Sequence, residues 1–108
     1  MSQQEVKPLS KLVALIQNWA WDRNLIAGST PNAQLHKLME EVWELAGGVC
    51  YNNSDVIKDS IGDVFVVLTI IAAQMGWSIE ECVQAAYEEI KDRKGKMVNG
   101  IFVKDEKA

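Results

Sequence analysis

The sequence predicts an all-α fold, a four-helix bundle-like domain, and three observations carry that prediction. Apolar residues recur at spacings of three and four over four stretches long enough to be helices. The segments between them hold capping and stopping residues: Thr-Pro at 30–31, Asn-Asn-Ser at 52–54, and Gly-Trp-Ser at 76–78. Nothing ahead of the C-terminal tail reads as a pair of strands joined by a hairpin signal. With 108 residues the chain fits one domain, taken here as 1–108, with no room for a second core.

The first helix is predicted over about 8–26, where Leu12, Leu15, Ile16, Trp19 and Ala20 follow Pro8, a residue tolerated at a helix start. A loop, IAGST, follows. The second helix, 31–51, opens with Thr30 as N-cap and Pro31 at the first helical position. Leu35, Leu38, Met39, Val42, Leu45 and Ala46 form its apolar stripe, and Gly47 and Gly48 weaken its end. The third helix, 54–75, takes Asn53 or Ser54 as its cap. Its stretch Val64 to Ile71 is rich in β-branched residues and competes as a buried strand. Helix prevails because the period extends back through Ile61 and Ile57 and no partner strand is in sight. Gly76 stops it. The fourth helix, 78–95, starts with Ser78 and Glu81 at capping-box spacing and continues through Ile79, Cys82, Val83, Ala86, Tyr87 and Ile90. The tail, 96–108, carries an Asn-Gly turn signal before Ile101 and is expected to form a short extended flap or hairpin.

Composition narrows the function. A net charge of −4 argues against a nucleic-acid polymer as partner, since such domains present a basic face. An anionic ligand would bind through a metal or a local basic patch. Cys50 and Cys82 lack CxxC spacing and lie in apolar helical patterns, so buried free thiols and a reducing, cytoplasmic setting are expected. The N-terminal MSQQEVKPLS has no apolar core of a signal peptide. The run Val64 to Ala73 is too short to span a bilayer, so no membrane association is expected. Almost half of the residues are hydrophobic, more than a domain this small buries alone, so the chain is expected to self-associate.

Two acidic clusters interrupt the apolar helices: Glu40, Glu41 and Glu44 in KLMEEVWEL, and Asp59 and Asp63 in IKDSIGDVFVVL. Residues three or four apart share a helix face, so members of each cluster project side by side. Helices joined by the short CYNNS turn run antiparallel, which sets the two clusters level across the pair. Crowded carboxylates repel one another and call for a counter-charge. A hard divalent cation such as Mg²⁺ supplies it, because it takes oxygen ligands and keeps positions for water and phosphate. A solvated acidic face is the plainer alternative. The semi-buried settings of Glu44 and Asp63 weigh against it, since an uncompensated buried carboxylate is costly.

An EExxE motif on one helix, then a short turn and an acidic residue with GDV at the head of an apolar helix, resembles the MazG family of all-α nucleoside triphosphate pyrophosphohydrolases. The resemblance spans QLHKLMEEVWEL, DSIGDVFVVL and AYEEIKDRKGKMVNGIF, most of the chain. It implies a helical oligomer, a homodimer or a dimer-of-dimers tetramer, that uses Mg²⁺, or Mn²⁺ in its place. The implied reaction is hydrolysis of the α–β phosphate bond of an NTP or dNTP to a monophosphate and pyrophosphate, a house-cleaning activity. The implied catalytic residues are Glu40, Glu41, Glu44 and Asp63, and the implied metal ligands are Glu41, Glu44, Asp59 and Asp63. Glu40 is the choice for activating water. The family's ExxD glutamate falls at Ser60, so Asp59, one residue earlier, is the substitute ligand, or Ser60 holds a metal-bound water. Lys37, Lys91, Arg93, Lys94 and Lys96 are the candidates for the polyphosphate, the plainer alternative for the last four being ordinary cations that complement a helix C-terminus.

His36 is the sole histidine and reads as a surface or packing residue. Its being alone also counts against a di-iron carboxylate bundle, which needs ExxH pairs. Trp19, Trp21, Trp43 and Trp77 are expected mostly in the core or a subunit interface, with one near the acidic cluster able to stack on a base. Gln34, one turn ahead of EExxE, either touches substrate or is exposed. The competing function is a non-catalytic helical interaction module holding a structural or vestigial ion.

Overall fold

Three of the four helices end the same way, and their ends set the fold. A computed structural model describes residues 4–105, with α1 at Leu9–Asp22, α2 at Pro31–Cys50, α3 at Ser54–Gln74 and α4 at Ile79–Ile90. A hairpin of β1, Gly95–Val98, and β2, Ile101–Lys104, follows. After α1, α2 and α3 the chain turns through a left-handed residue, Asn24, Asn52 or Gly76. In each case two backbone N–H groups reach back to orphan carbonyls: Leu25 to Ala20, Asn53 to Gly48 and Trp77 to Ala72 for the longer loop of the motif.

These motifs explain two differences from the sequence-based boundaries. The first helix stops at Asp22 instead of continuing to residue 26, because Asn24 takes the left-handed conformation that asparagine tolerates. Leu25 and Ile26 then turn back into the core beside Ala20 and Ile70. The fourth helix stops at Ile90, since Gly95 already belongs to β1. Asn99 and Gly100, both at positive φ, form the two-residue turn that pairs Met97 with Phe102 and Val98 with Ile101.

The N-caps are as the sequence predicts. Thr30 accepts from the Ala33 N–H at 3.1 Å, Asn53, rather than Ser54, accepts from Val56 at 3.3 Å, and Ser78 and Glu81 form a complete capping box. The β-branched stretch of α3 is helical throughout. Tertiary packing outweighs its strand propensity, because both core clusters lie on this helix. One joins Val13, Ala72 and Ile79; the other joins Ala20, Ile26 and Ile70. α3 is thus the central element, with α2 paired along it and α1 and α4 against its other faces.

Gly48 does not end α2 but sets its distance from α3. A Cβ there would lie 3.0 Å from Val56 Cγ1 and 3.2 Å from Ile57 Cγ1, so any larger residue would make these side chains give way for the two helices to approach this closely. Among the described residues no helix is long and apolar enough to cross a membrane. The two cysteines are free, as expected, but not both buried: Cys50 is exposed and Cys82 half-buried. Cys50 is the last residue of α2, turned away from the side that faces α3. None of the four tryptophans is in the core either; all lie exposed on helix surfaces or just beyond a helix end.

Candidate metal centre

Three carboxylates converge where α2 and α3 run side by side. Ligand oxygens of Glu41, Glu44 and Asp63 all lie within 4.8 Å of one another. The turn at Tyr51–Asn53 places Glu41 and Glu44 before it and Asp63 after it at matching heights, as antiparallel geometry requires. Glu41 faces α3 and is only 6% exposed. Its Oε1 pairs with Lys37 Nζ at 3.1 Å, while its buried Oε2 has no hydrogen-bond partner among the described residues.

The electrostatics identify an unbalanced site. At an effective dielectric of about 20, two carboxylates 4.8 Å apart repel by roughly 3–4 kcal/mol, more than one partly exposed lysine offsets. The cost shows at Asp63, whose carboxyl is pushed above its ordinary 3.8, first by burial and then by the charges of Asp59 and Glu41, a hydrogen bond shared with Glu41, and the charge of Glu44. A proton on Asp63 can donate to Glu41; once that proton leaves, the Glu41 oxygen has no donor. Lys37 responds in the opposite sense, held above its ordinary 10.5 by its hydrogen bond to Glu41 and by that carboxylate's charge.

A hard divalent cation fits this donor set. It would satisfy the orphaned Glu41 oxygen and neutralise the three carboxylates together, and oxygen-only ligands suit hard divalent cations such as Mg²⁺, Ca²⁺ or Mn²⁺ better than softer ions.

The other candidates fall at different distances from this centre. Asp59 stands outside the three-carboxylate group, exposed one turn before Asp63, close enough for its charge to be felt there. Ser60 is packed in the interior at 1% exposure, a poor position for holding a metal's water. Glu40 is mostly exposed and joined to the site through Lys37 Nζ, 3.6 Å away. Lys37 therefore serves the acidic residues directly. Gln34 is buried, and neither exposed nor open to a ligand: its Nε2 donates to Ser29 Oγ at 3.1 Å and ties α2 to the preceding loop. His36 is exposed, as expected.

The basic run lies elsewhere. Lys91 pairs with Glu88 at 2.6 Å and Arg93 with Glu89 at 3.4 Å, while Lys94 and Lys96 continue into the hairpin. Among the described residues, none of the four lines the grooves that open beside Asp63. The larger groove, about 840 Å³, runs between Leu12 and Ile16 of α1 and Asp59, Gly62, Asp63 and Val66 of α3. A second, about 360 Å³, continues past Asp63 to Trp19, so one tryptophan does stand near the acidic cluster. Lys58 also lines the larger groove and was missed in the sequence. Its place was legible only as a member of the α3 face that includes Asp55, Asp59, Gly62 and Val66, three and four apart.

A model of the MazG nucleotide pyrophosphohydrolase domain matches residues 29–98, which includes every carboxylate of this centre. An uncharacterized 18.2 kDa protein encoded in the rep-hol intergenic region of Haemophilus phage HP1 is 58% identical over 66 residues, 61% of this chain and 40% of that protein. The chain thus matches less than half the length of that relative. No solved structure matches the chain. With the family's domain matched over most of its length and the helical architecture to go with it, the chain belongs to the MazG nucleotide pyrophosphohydrolase family.

Proposed function

We propose that the protein is a Mg²⁺-dependent pyrophosphohydrolase that cleaves an NTP or dNTP to its monophosphate and pyrophosphate. One observation supports this most: a buried Glu41 oxygen without a partner, set among three carboxylates from two helices in a chain of this family. Glu41, Glu44 and Asp63 would hold the ion, with Asp59 at the groove's rim as the further carboxylate. The bound ion supplies charge neutralisation at the phosphate oxygens and a fixed orientation for the scissile bond.

The chain's own groups would do the rest. Glu40 Oε2, exposed and within reach of Lys37, accepts a proton from the attacking water, whose oxygen bonds to phosphorus as the α–β bridging P–O bond breaks. Pyrophosphate leaves with the electron pair of that bond. The apolar groove along α1 and α3 receives the nucleoside beside the acidic centre, and Trp19 offers a stacking face. Lys37, paired with Glu41, and Lys58, which lines the groove, would be the cations offered to the phosphates beside the acidic centre. Lys91, Arg93, Lys94 and Lys96 would contribute from the exposed segment that follows α4.

A panel of NTPs and dNTPs, assayed for pyrophosphate and for single phosphate with and without Mg²⁺, tests the proposal. Pyrophosphate release that requires Mg²⁺ and disappears in Glu41→Gln and Asp63→Asn, with helicity unchanged, is the expected result. No turnover of any nucleotide and no divalent-ion binding would instead favour the interaction module.

A further inference from the structure

The two oxygens of Glu41 are not equivalent. Oε1 pairs with Lys37 Nζ at 3.1 Å, whereas Oε2 is shut off from water and has no hydrogen-bond partner among the described residues. Glu44 and Asp63 carry no paired cation among the described residues. Glu41 alone of the three carboxylates therefore enters the centre with one oxygen already engaged.

Lys37 is more than an ordinary surface cation. An exposed ion pair on a helix contributes little, and Lys placed four residues before Glu is the less favoured order. Here the acidic end of the pair is buried, with the Glu41 side chain 7% exposed against 54% for Lys37. A buried carboxylate left unpaired is costly, so this contact is held where a surface pair would fray. Glu40 competes weakly for the same ammonium, 3.6 Å away on a side chain 68% exposed. One turn of α2 sets Lys37 and Glu41 on one face, so the pair forms without help from another element.

The donor set alone leaves the ion open between Mg²⁺ and Ca²⁺, since both take oxygen ligands. They use a carboxylate differently. Ca²⁺ accepts up to about eight oxygens and often takes both from one carboxylate. Mg²⁺ demands a near-ideal octahedron, whose right-angled corners the two close oxygens of one carboxylate cannot span. With Oε1 held by Lys37, Glu41 has one oxygen to give.

We infer that Lys37 is a positioning residue that keeps Glu41 a one-oxygen ligand and thereby tunes the centre toward Mg²⁺ and away from Ca²⁺. It holds Oε1 and leaves the buried Oε2 to the ion, as partners behind a ligating group fix its orientation. An ammonium carries three N–H donors, so this role leaves Lys37 able to meet a phosphate as well. The inference rests on the metal centre proposed above and adds to it the source of its ion preference.

Isothermal titration calorimetry of the metal-stripped full chain with MgCl₂ and with CaCl₂, in the absence of nucleotide, tests it. In Lys37→Met the Mg²⁺ dissociation constant should rise about 10–100-fold while that for Ca²⁺ changes little, because the released Oε1 offers Ca²⁺ a second oxygen. Loss of a nearby positive charge by itself would act in the opposite sense, tightening both ions alike and leaving their ratio unchanged. Lys37→Arg keeps a cation with donors at this position and should retain most of the Mg²⁺ preference. Circular dichroism should show unchanged helicity, and Lys37→Ala is the second variant should Lys37→Met fail to fold. Mg²⁺ binding that Lys37→Met leaves unchanged or tightens, or a loss equal for both ions, overturns this inference alone. A wild type that binds neither ion overturns the metal centre and this inference together.

Discussion

Replacing Glu41 by glutamine should make the metal-free protein more stable and the metal-bound protein less so. Glu41 sits within 4.8 Å of two other carboxylates, and each such pair costs roughly 3–4 kcal/mol at an effective dielectric of about 20. Glu44 is exposed, so its share is largely screened. Halving the Glu41–Asp63 repulsion for partial solvation and subtracting about 0.5 kcal/mol for the lost Lys37 ion pair leaves a gain of roughly 1–1.5 kcal/mol. The amide can also donate to Asp63 where the carboxylate could not. For a domain of this size that gain raises the melting temperature by about 5–10 °C. Wild type, in contrast, should gain about 2.7 kcal/mol from Mg²⁺ at one hundred times its dissociation constant, and the variant little of it. The assay is thermal unfolding by circular dichroism near pH 8, in chelator and in Mg²⁺, with both proteins at one fixed concentration. The order of stability should reverse between the two conditions. If Glu41→Gln melts below wild type in chelator, or if Mg²⁺ stabilises both proteins equally, the reading of this cluster as a repulsive cage awaiting a cation is wrong.

The pH dependence of the metal-free protein should carry the same signature. Asp63 binds its proton more tightly in the folded chain than its ordinary 3.8, so its contribution to stability is complete below that value and is lost as pH rises through the raised folded pKa. Melting temperature should therefore decline over that rise in wild type, more weakly in Asp63→Asn, and more weakly again when Mg²⁺ is present; identical pH profiles for wild type and Asp63→Asn would contradict it. The two adjacent glycines of α2 should behave oppositely. Gly47→Ala meets nothing within 4 Å and should stabilise by about 0.5–1 kcal/mol through helix propensity. Gly48→Ala puts a methyl 3.0 Å from Val56 and should lose that gain, and Gly48→Leu should cost about 1–3 kcal/mol, both read by urea denaturation.

Much of the fold was legible because its signals are local. Thr30-Pro31, Ser78 with Glu81, and Asn99-Gly100 each act within a few residues, through a capping oxygen or an allowed left-handed backbone, and each formed where expected. Asn24 shows the limit of this reading. Asparagine permits a helix-ending conformation without requiring it, and what selected it was the burial of Ile26 against Ala20 and Ile70, a contact made across the fold.

The acidic centre divides in the same way. That Glu41 and Asp63 share a height follows from helix rise and a short turn, both written in the sequence. Which carboxylates actually meet depends on the rotation of α2 against α3, and that is a matter of tertiary packing, including the close approach at Gly48. The rotation carries Glu41 inside, leaves Glu40 and Asp59 at the rim, and buries Ser60. The groove with Lys58 and Trp19 arises only where α1 crosses α3.

By itself the sequence determined the helices, their order and the two acidic clusters, because hydrophobic period and capping act over one or two turns. Only the tertiary structure decided which acidic oxygen is left without a partner among the described residues and which apolar residues stay exposed. Both depend on how one helix face is divided between a neighbour and solvent, and no local pattern encodes that division.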